Sequence, residues 1–269
     1  MVRARVTREL IFFMRKNNAK HRIVMWSPPR ARSTMMMRVF EALGCAVFDE
    51  PFYPYWLKTL NKENDPGFEA ALENHETDWR KVIDLVLGPI PEKREWYYQK
   101  HMAIHMLDEI DLTWMNRVRN CFLIRNPAEV IVSMTAFRHL KPSESQDIEE
   151  AAKLVGIPQL RRIFDLACEI YGGIPPIIDA NDVLKNPKRV LGGLCNALGM
   201  DFDLHKPIRW APGRHEYDGA WADDWYGKVY ETTCLGSYKP KRIVVPPELQ
   251  PVVDFCMPVY DHIAQYRIT

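Results

Sequence analysis

The chain has 269 residues, 47% hydrophobic and 26% charged, with 36 Lys and Arg against 35 Asp and Glu and a formal net charge of +1. This is the composition of a folded α/β-sized domain, and it excludes disorder, a repeat architecture, and recruitment of nucleic acid or an anionic membrane by a global field. Any anion site must therefore be built locally. The six cysteines, Cys45, Cys121, Cys168, Cys195, Cys234 and Cys256, are scattered without a C-x-x-C pair, so free buried thiols in a reducing compartment are expected rather than a zinc site.

In chain order, the N-terminal stretch MVRARVTRELIFFMRKNN has a basic flank, but its apolar run LIFFM is too short for a signal-peptide core. No segment approaches a transmembrane length, and a cytoplasmic protein is expected. Short strand-like runs follow at RIVMW (22–26), CAVF (45–48), EWYYQK (95–100), CFLIR (121–125) and PPIID (175–179). Helical periodicity occupies 33–43, 67–87, 127–138, 147–171, 187–198 and 247–265, with Pro127 and Pro187 at first-turn positions where a missing N–H is tolerated. This alternation predicts one α/β domain over 1–269, a central parallel sheet flanked by helices. The stretch 205–240, rich in Trp, Gly, Asp, Tyr and His, interrupts the pattern and reads as a lid or substrate loop, or as an ordinary loop pinned by its tryptophans.

WSPPRARSTMMMR (26–38) places Arg30, Arg32, Ser33 and Thr34 where the first strand turns into a helix. In open α/β sheets ligands lie beyond the carboxyl ends of the strands, and a helix start there presents N–H donors to an anion. The plainer alternative is a capping Ser33 with solvated arginines. Met35, Met36 and Met37 are read as core contacts. The turn has neither the glycines nor the Lys-Ser/Thr pair of a Walker A loop, which argues against Mg²⁺-assisted phosphoryl transfer. A second signal is CFLIRNPAEVIVSMTAF (121–137), where Arg125 closes a strand and Ser133 follows two helical turns later on the side facing the strand end.

PRARST (29–34) resembles the 5′-phosphosulfate loop of PAPS-dependent sulfotransferases, and RNPAEVIVS (125–133) resembles their 3′-phosphate motif. FDEPF (48–52), KHMAIHM (100–106), IDANDVLKNPKRVLGGLCNALG (178–199) and the W-x-P-G-R and D-G-x-W elements (210–221) agree in order, so the resemblance spans most of the chain. It implies a P-loop NTPase-like sulfotransferase fold and transfer of a sulfuryl group from 3′-phosphoadenosine 5′-phosphosulfate (PAPS) to a small acceptor, with release of 3′-phosphoadenosine 5′-phosphate (PAP) and without a metal. By the same resemblance Arg125 and Ser133 hold the 3′-phosphate. Arg30, Ala31, Arg32, Ser33 and Thr34 hold the phosphosulfate, Arg214 reaches a donor phosphate, and Lys100 contacts the transferring group. Arg30 stands where many members carry lysine; a guanidinium stabilises a leaving oxygen but is a poor proton donor.

An attacking hydroxyl or amine must lose a proton, and Glu50, His101 and His105 are the candidate bases, each equally readable as a structural residue. Trp221, Trp225 and Tyr226 suit an acceptor wall. Asp223 and Asp224 suit a cationic acceptor or are simply solvated. The acceptor is expected to be a small metabolite, a cationic natural product among the options, with no nucleic-acid or membrane partner. The rival readings are a Mg²⁺-dependent small-molecule kinase and a non-catalytic PAPS- or PAP-binding protein.

Overall fold

The computed structural model describes residues 21–135, 147–201, 203 and 207–269. The basic N-terminal stretch, the last residues of the helix expected over 127–138, and residues 205–206 of the expected loop lie outside them. The strands are β1 (Arg22–Ser27), β2 (Ala46–Asp49), β3 (Tyr97–Met102), β4 (Arg119–Ile124) and β5 (Ile177–Asp179). They form one sheet in the order β2-β3-β1-β4-β5, and every neighbouring pair is parallel. Burial of both sheet faces explains why these segments read as continuous apolar runs rather than alternating ones. Because β1 lies at the centre with β3 and β4 on either side, the connections leaving β1, β3 and β4 all start from the same edge of the sheet.

One face packs against α1 (Ser33–Ala42) through Met36, Met37, Val39 and Phe40, which lies flat on Tyr98 of β3 at a ring separation of 4.3 Å. A short helix, α2 (Tyr53–Thr59), adds Tyr53, Trp56 and Leu57 to this layer. No helix is expected over these residues from the sequence. The helix expected over 67–87 is two helices, α3 (Phe68–Asn74) and α4 (Trp79–Leu87), because Asp78 caps the second start by accepting from the Arg80 amide at 2.9 Å. After β4 comes α5 (Pro127–Thr135). The long helix expected over 147–171 breaks into α6 (Ile148–Val155) and α7 (Ile157–Tyr171) at Gly156, whose φ of 75° is left-handed. A Cβ there would come within 3.1 Å of the Ile104 amide, so the break also lets this corner approach the β3 connection.

Following β5, α8 (Ala180–Lys185) is capped by Asp179, and α9 (Pro187–Leu198) matches its expected bounds. On the opposite face Trp26, Phe52, Phe122 and Phe164 form a second core layer with α4 and α7. Each such side chain contributes about 1.5–3 kcal/mol when fully buried. The segment from 207 to 240 carries two single-turn helices, α10 (Ala222–Trp225) and α11 (Gly227–Tyr230), and the chain closes with α12 (Gln250–Ala264). An ion pair and a hydrogen bond clamp this segment onto α1: Arg38 to Asp218 at 2.6 Å, both side chains buried, and His215 Nδ1 with Glu41 at 2.8 Å. Breaking a buried pair on one side costs about 3–5 kcal/mol, so the segment is an anchored cover in this structure. All six cysteines are free, and among the described residues no helix is long and apolar enough to cross a membrane.

Candidate active site

The connection from β1 to α1 runs through Pro28 and Pro29 into two arginines with left-handed backbone, Arg30 at φ 59° and Arg32 at φ 66°. A non-glycine residue in that region costs about 1–2 kcal/mol, so neighbouring structure must hold both in place. Part of the hold comes from β4. Arg125, just past the strand, donates from Nη1 to the Arg30 carbonyl at 2.6 Å and from Nε and Nη2 to Glu129 at 3.0 and 2.7 Å. Arg30 in turn donates from Nε to Ser133 Oγ at 3.2 Å. The four residues picked out by the two arginine-bearing turns, Arg30, Arg32, Arg125 and Ser133, thus line one cavity.

The electrostatics of this end are strained. Burial and the facing Arg125 charge both push the Arg30 and Arg32 guanidinium groups below their usual pKa. Burial opposes ionisation of Glu129, but bonds from Asn181 and Arg125 outweigh it and hold the carboxyl below its usual range. Arg32 Nη1 is buried without a hydrogen-bond partner. No side chain caps the start of α1, and Thr34, instead of capping, accepts from Lys100 at 3.0 Å. Cations and an orphaned donor at an uncapped helix start are the groups that an anion would complete. Ser33 and Thr34 line the same wall, whereas the Ala31 side chain is fully buried in the core and leaves only its backbone to a ligand.

The cavity has a volume of about 670 Å³ and extends from the arginines past Met102 to a second, chemically different end. There Glu50, at the unusual φ of 42°, follows β2 beside Asp49. Lys100 Nζ lies 2.6 Å from Glu50 Oε1 and 2.9 Å from Asp49 Oδ1, and is fully buried behind the cavity wall. Burial alone would lower the Lys100 pKa; the two carboxylates outweigh it and hold the ammonium charged. Glu50 is pushed up, first by burial and next by the like charge of Asp49, with Lys100 opposing. Its second oxygen lies 3.8 Å from His105 Nε2. That contact is not an ion pair at neutral pH, because burial, Lys100 and His101 press the His105 pKa well below its usual value. The His105 ring is stacked on Tyr53 at 5.0 Å and lines the cavity.

Adjacent positions on β3 face opposite ways. Lys100 serves the site, whereas His101 points into the second core layer among Trp26, Phe52 and Trp114. Its Nε2 meets Gln99 at 3.2 Å, and burial lowers its pKa to about 3. The structure therefore separates His101 from the other two candidate bases. Arg214 is likewise absent from the cavity wall; it pairs with Asp223 at 2.8 Å and donates to the Gly219 carbonyl. Asp223 is further engaged by the Tyr230 hydroxyl at 2.9 Å, and Asp223, Asp224, Trp221 and Trp225 all line the cavity. Tyr226 also lines it, but its hydroxyl is turned inward to Asp49 and Lys100. Sequence reasoning missed Asp49, although it stands beside Glu50 in FDEPF, and Glu129, which sits one helical turn after Arg125.

A parallel sheet opens onto a cavity with arginines at one end and a lysine-held glutamate at the other. The family follows from comparison with known proteins. The model of the sulfotransferase domain matches residues 21–265, and the chain belongs to that family. Two Arabidopsis thaliana proteins, branched-chain-amino-acid aminotransferase-like proteins 1 and 2, are each 29% identical over 238 residues, covering 88% of this chain and 40% of theirs. The chain thus spans about two-fifths of the length of the curated relatives it matches. Similar solved structures include the sulfotransferase domain from the curacin biosynthetic pathway, with 17% identity, 88% of this chain and 97% of that one covered, and a TM-score of 0.40. Another is the sulfotransferase domain of the Synechococcus PCC 7002 olefin synthase, with 17% identity, 89% and 95% covered, and a TM-score of 0.45.

Proposed function

We propose that the protein moves a sulfuryl group from PAPS to a hydroxyl or amine of a small, cationic metabolite and releases PAP. The observation that carries this reading is the convergence of Arg30, Arg32 and Arg125 on one cavity end, with Arg32 Nη1 buried and unpartnered. A donor with phosphate groups at both extremities fits such a donor-rich end, and the donor brings its own activated sulfuryl group. In this reading Arg125 and Ser133 hold the 3′-phosphate, while Arg30, Arg32, Ser33, Thr34 and the backbone of the turn hold the phosphosulfate.

In-line displacement needs the acceptor positioned and the charge growing on the leaving oxygen stabilised. Arg30 supplies the charge but, as a permanently protonated guanidinium, no proton. Glu50 accepts the acceptor's proton at Oε2, the oxygen not held by Lys100; its raised pKa brings it closer to the working pH of a general base. His105, neutral and stacked, orients the acceptor beside it.

One feature supports a cationic acceptor: Glu50, Asp65, Asp223, Asp224 and Glu231 line the cavity together with Tyr53, Trp56 and Trp225. Lys62, Lys228 and Lys241 share that lining, Lys62 with its ammonium 5.6 Å from the Trp56 ring. The aminotransferase-like names of the plant relatives suggest amino-acid chemistry in proteins that carry a domain of this kind, so an amino alcohol is the acceptor class to try first. The test is incubation with PAPS and a panel of amino alcohols and uncharged diols, following PAP release and sulfated product by mass spectrometry. Acceptor-dependent PAP formation, favouring the cationic compounds, is expected. Absence of PAP, together with thermal stabilisation by ATP and Mg²⁺ exceeding that by PAP, would replace the reading with a kinase.

A further inference from the structure

Four groups from distant parts of the chain meet behind Glu50. Asp49 ends β2, Lys100 lies in β3, and Gly219 and Tyr226 come from the segment that covers the cavity. The Tyr226 hydroxyl accepts from Lys100 and lies 2.8 Å from Asp49 Oδ2 and 3.3 Å from Glu50 Oε1. The Gly219 amide donates to Asp49 Oδ2 at 3.1 Å. Asp49, Lys100 and Tyr226 are all buried.

Counting protons shows how tightly the cluster is specified. Lys100 has three N–H bonds and four acceptors within 3.0 Å: Glu50 Oε1, Asp49 Oδ1, Thr34 Oγ1 and Tyr226 Oη. One of its contacts is therefore shared. Tyr226 has a single proton, which goes to a carboxylate because its oxygen already accepts from Lys100. Burial and the neighbouring acids keep the phenol protonated, so it remains a donor. Nothing in this arrangement engages Glu50 Oε2, which stays turned toward His105.

We infer that Tyr226 and Asp49 are positioning residues of the transfer reaction: with the Tyr226 hydroxyl seated on Asp49, they fix Lys100 on one oxygen of Glu50 and leave the other to take the acceptor's proton. Tyr226 thus belongs to the machinery behind the base rather than to an acceptor wall. The inference rests on Glu50 being the base, as proposed above.

The two residues act on Glu50 with opposite sign. The Tyr226 hydroxyl favours the ionised carboxylate, and the Asp49 charge disfavours it. Tyr226→Phe, which keeps the ring beneath the Lys100 ammonium, is expected to lower kcat by about 10- to 100-fold with PAP affinity unchanged, and to move the acid limb of the pH–rate profile upward. Asp49→Asn is expected to move the same limb downward. A merely structural role would lower both activities through folding, without opposite shifts. Melting temperature and PAP titration identify any variant that fails to fold, and the other variant then carries the test. Wild-type kcat and an unmoved limb in Tyr226→Phe overturn the inference, as does a defect confined to PAP affinity. Glu50→Gln separates the two readings. If that variant is inactive while Tyr226→Phe is indistinguishable from wild type, only the positioning role falls. If Glu50→Gln turns over normally, the base assignment itself falls.

Discussion

The two ends of the cavity are built by different means. The arginine end is local: a strained turn of Arg30 and Arg32, and one strand away an arginine followed by a helix that supplies Glu129 and Ser133. Among the described residues, Arg32 Nη1 there is buried without a hydrogen-bond partner. The glutamate end is assembled from segments up to 177 residues apart, Tyr226 meeting Asp49, and nearly every proton there is already placed. In the proposed reading the unfinished set of donors binds PAPS and the finished network aims a single oxygen of Glu50, so binding and chemistry are separable and substitutions should divide accordingly.

The largest expected effect is on the chemistry. Glu50→Gln should lower kcat by about 10²–10⁴-fold while leaving PAP affinity intact. In the wild type, activity should fall as pH drops through the raised Glu50 pKa, because a protonated carboxyl accepts nothing, and the limb should vanish from the residual activity of the variant. At the other end Arg125→Ala should weaken PAP by about 10- to 100-fold, measured calorimetrically, since it removes both the ligand contact and the bond that holds the Arg30 carbonyl. A loss of turnover in Arg125→Ala at saturating PAPS would break the division between the ends.

His101, one residue from Lys100 but on the opposite sheet face, should affect neither function. Its effect belongs to stability. The folded-state pKa of about 3 lies below the unfolded value, so unfolding takes up a proton and stability falls as pH drops below about 6.5. Each such histidine contributes a slope of up to about 1.4 kcal/mol per pH unit over that window. His101→Phe, packed among Trp26, Phe52 and Trp114, should flatten the fall of melting temperature between pH 6.5 and 5, the upper part of the window between the two pKa values. An unchanged slope would contradict a buried, neutral His101. Smallest is Asp224→Asn, expected to raise KM for cationic acceptors by about 2- to 5-fold and to leave neutral ones unaffected.

The same division governs what the sequence disclosed. Arg30, Arg125 and Ser133 are visible because strand, turn and helix starts are local, and a two-turn spacing brings Ser133 round to the strand end. Strand positions and the bounds of α9 are visible for the same reason. The break at Gly156 was marked by its glycine and by Pro158 two residues on, a signal outweighed by apolar periodicity on both sides. The glutamate end required knowledge of which way β3 faces. Without it Lys100 and His101 look equally close to the chemistry, and only the side that meets Phe40 through Tyr98 tells them apart. Tyr226 reads as an aromatic wall until its hydroxyl is seen bonded to a carboxylate 177 residues away.

The central claim is that the arginine end recognises a 3′-phosphate as well as a 5′-phosphoryl group. Isothermal titration with PAP and with ADP tests it most directly, since each is an adenosine nucleotide with two phosphates and only PAP carries one at the 3′ position. PAP should bind about 10- to 100-fold tighter than ADP. Equal affinity for the two, or tighter binding of ATP with Mg²⁺ than of PAP, would contradict it.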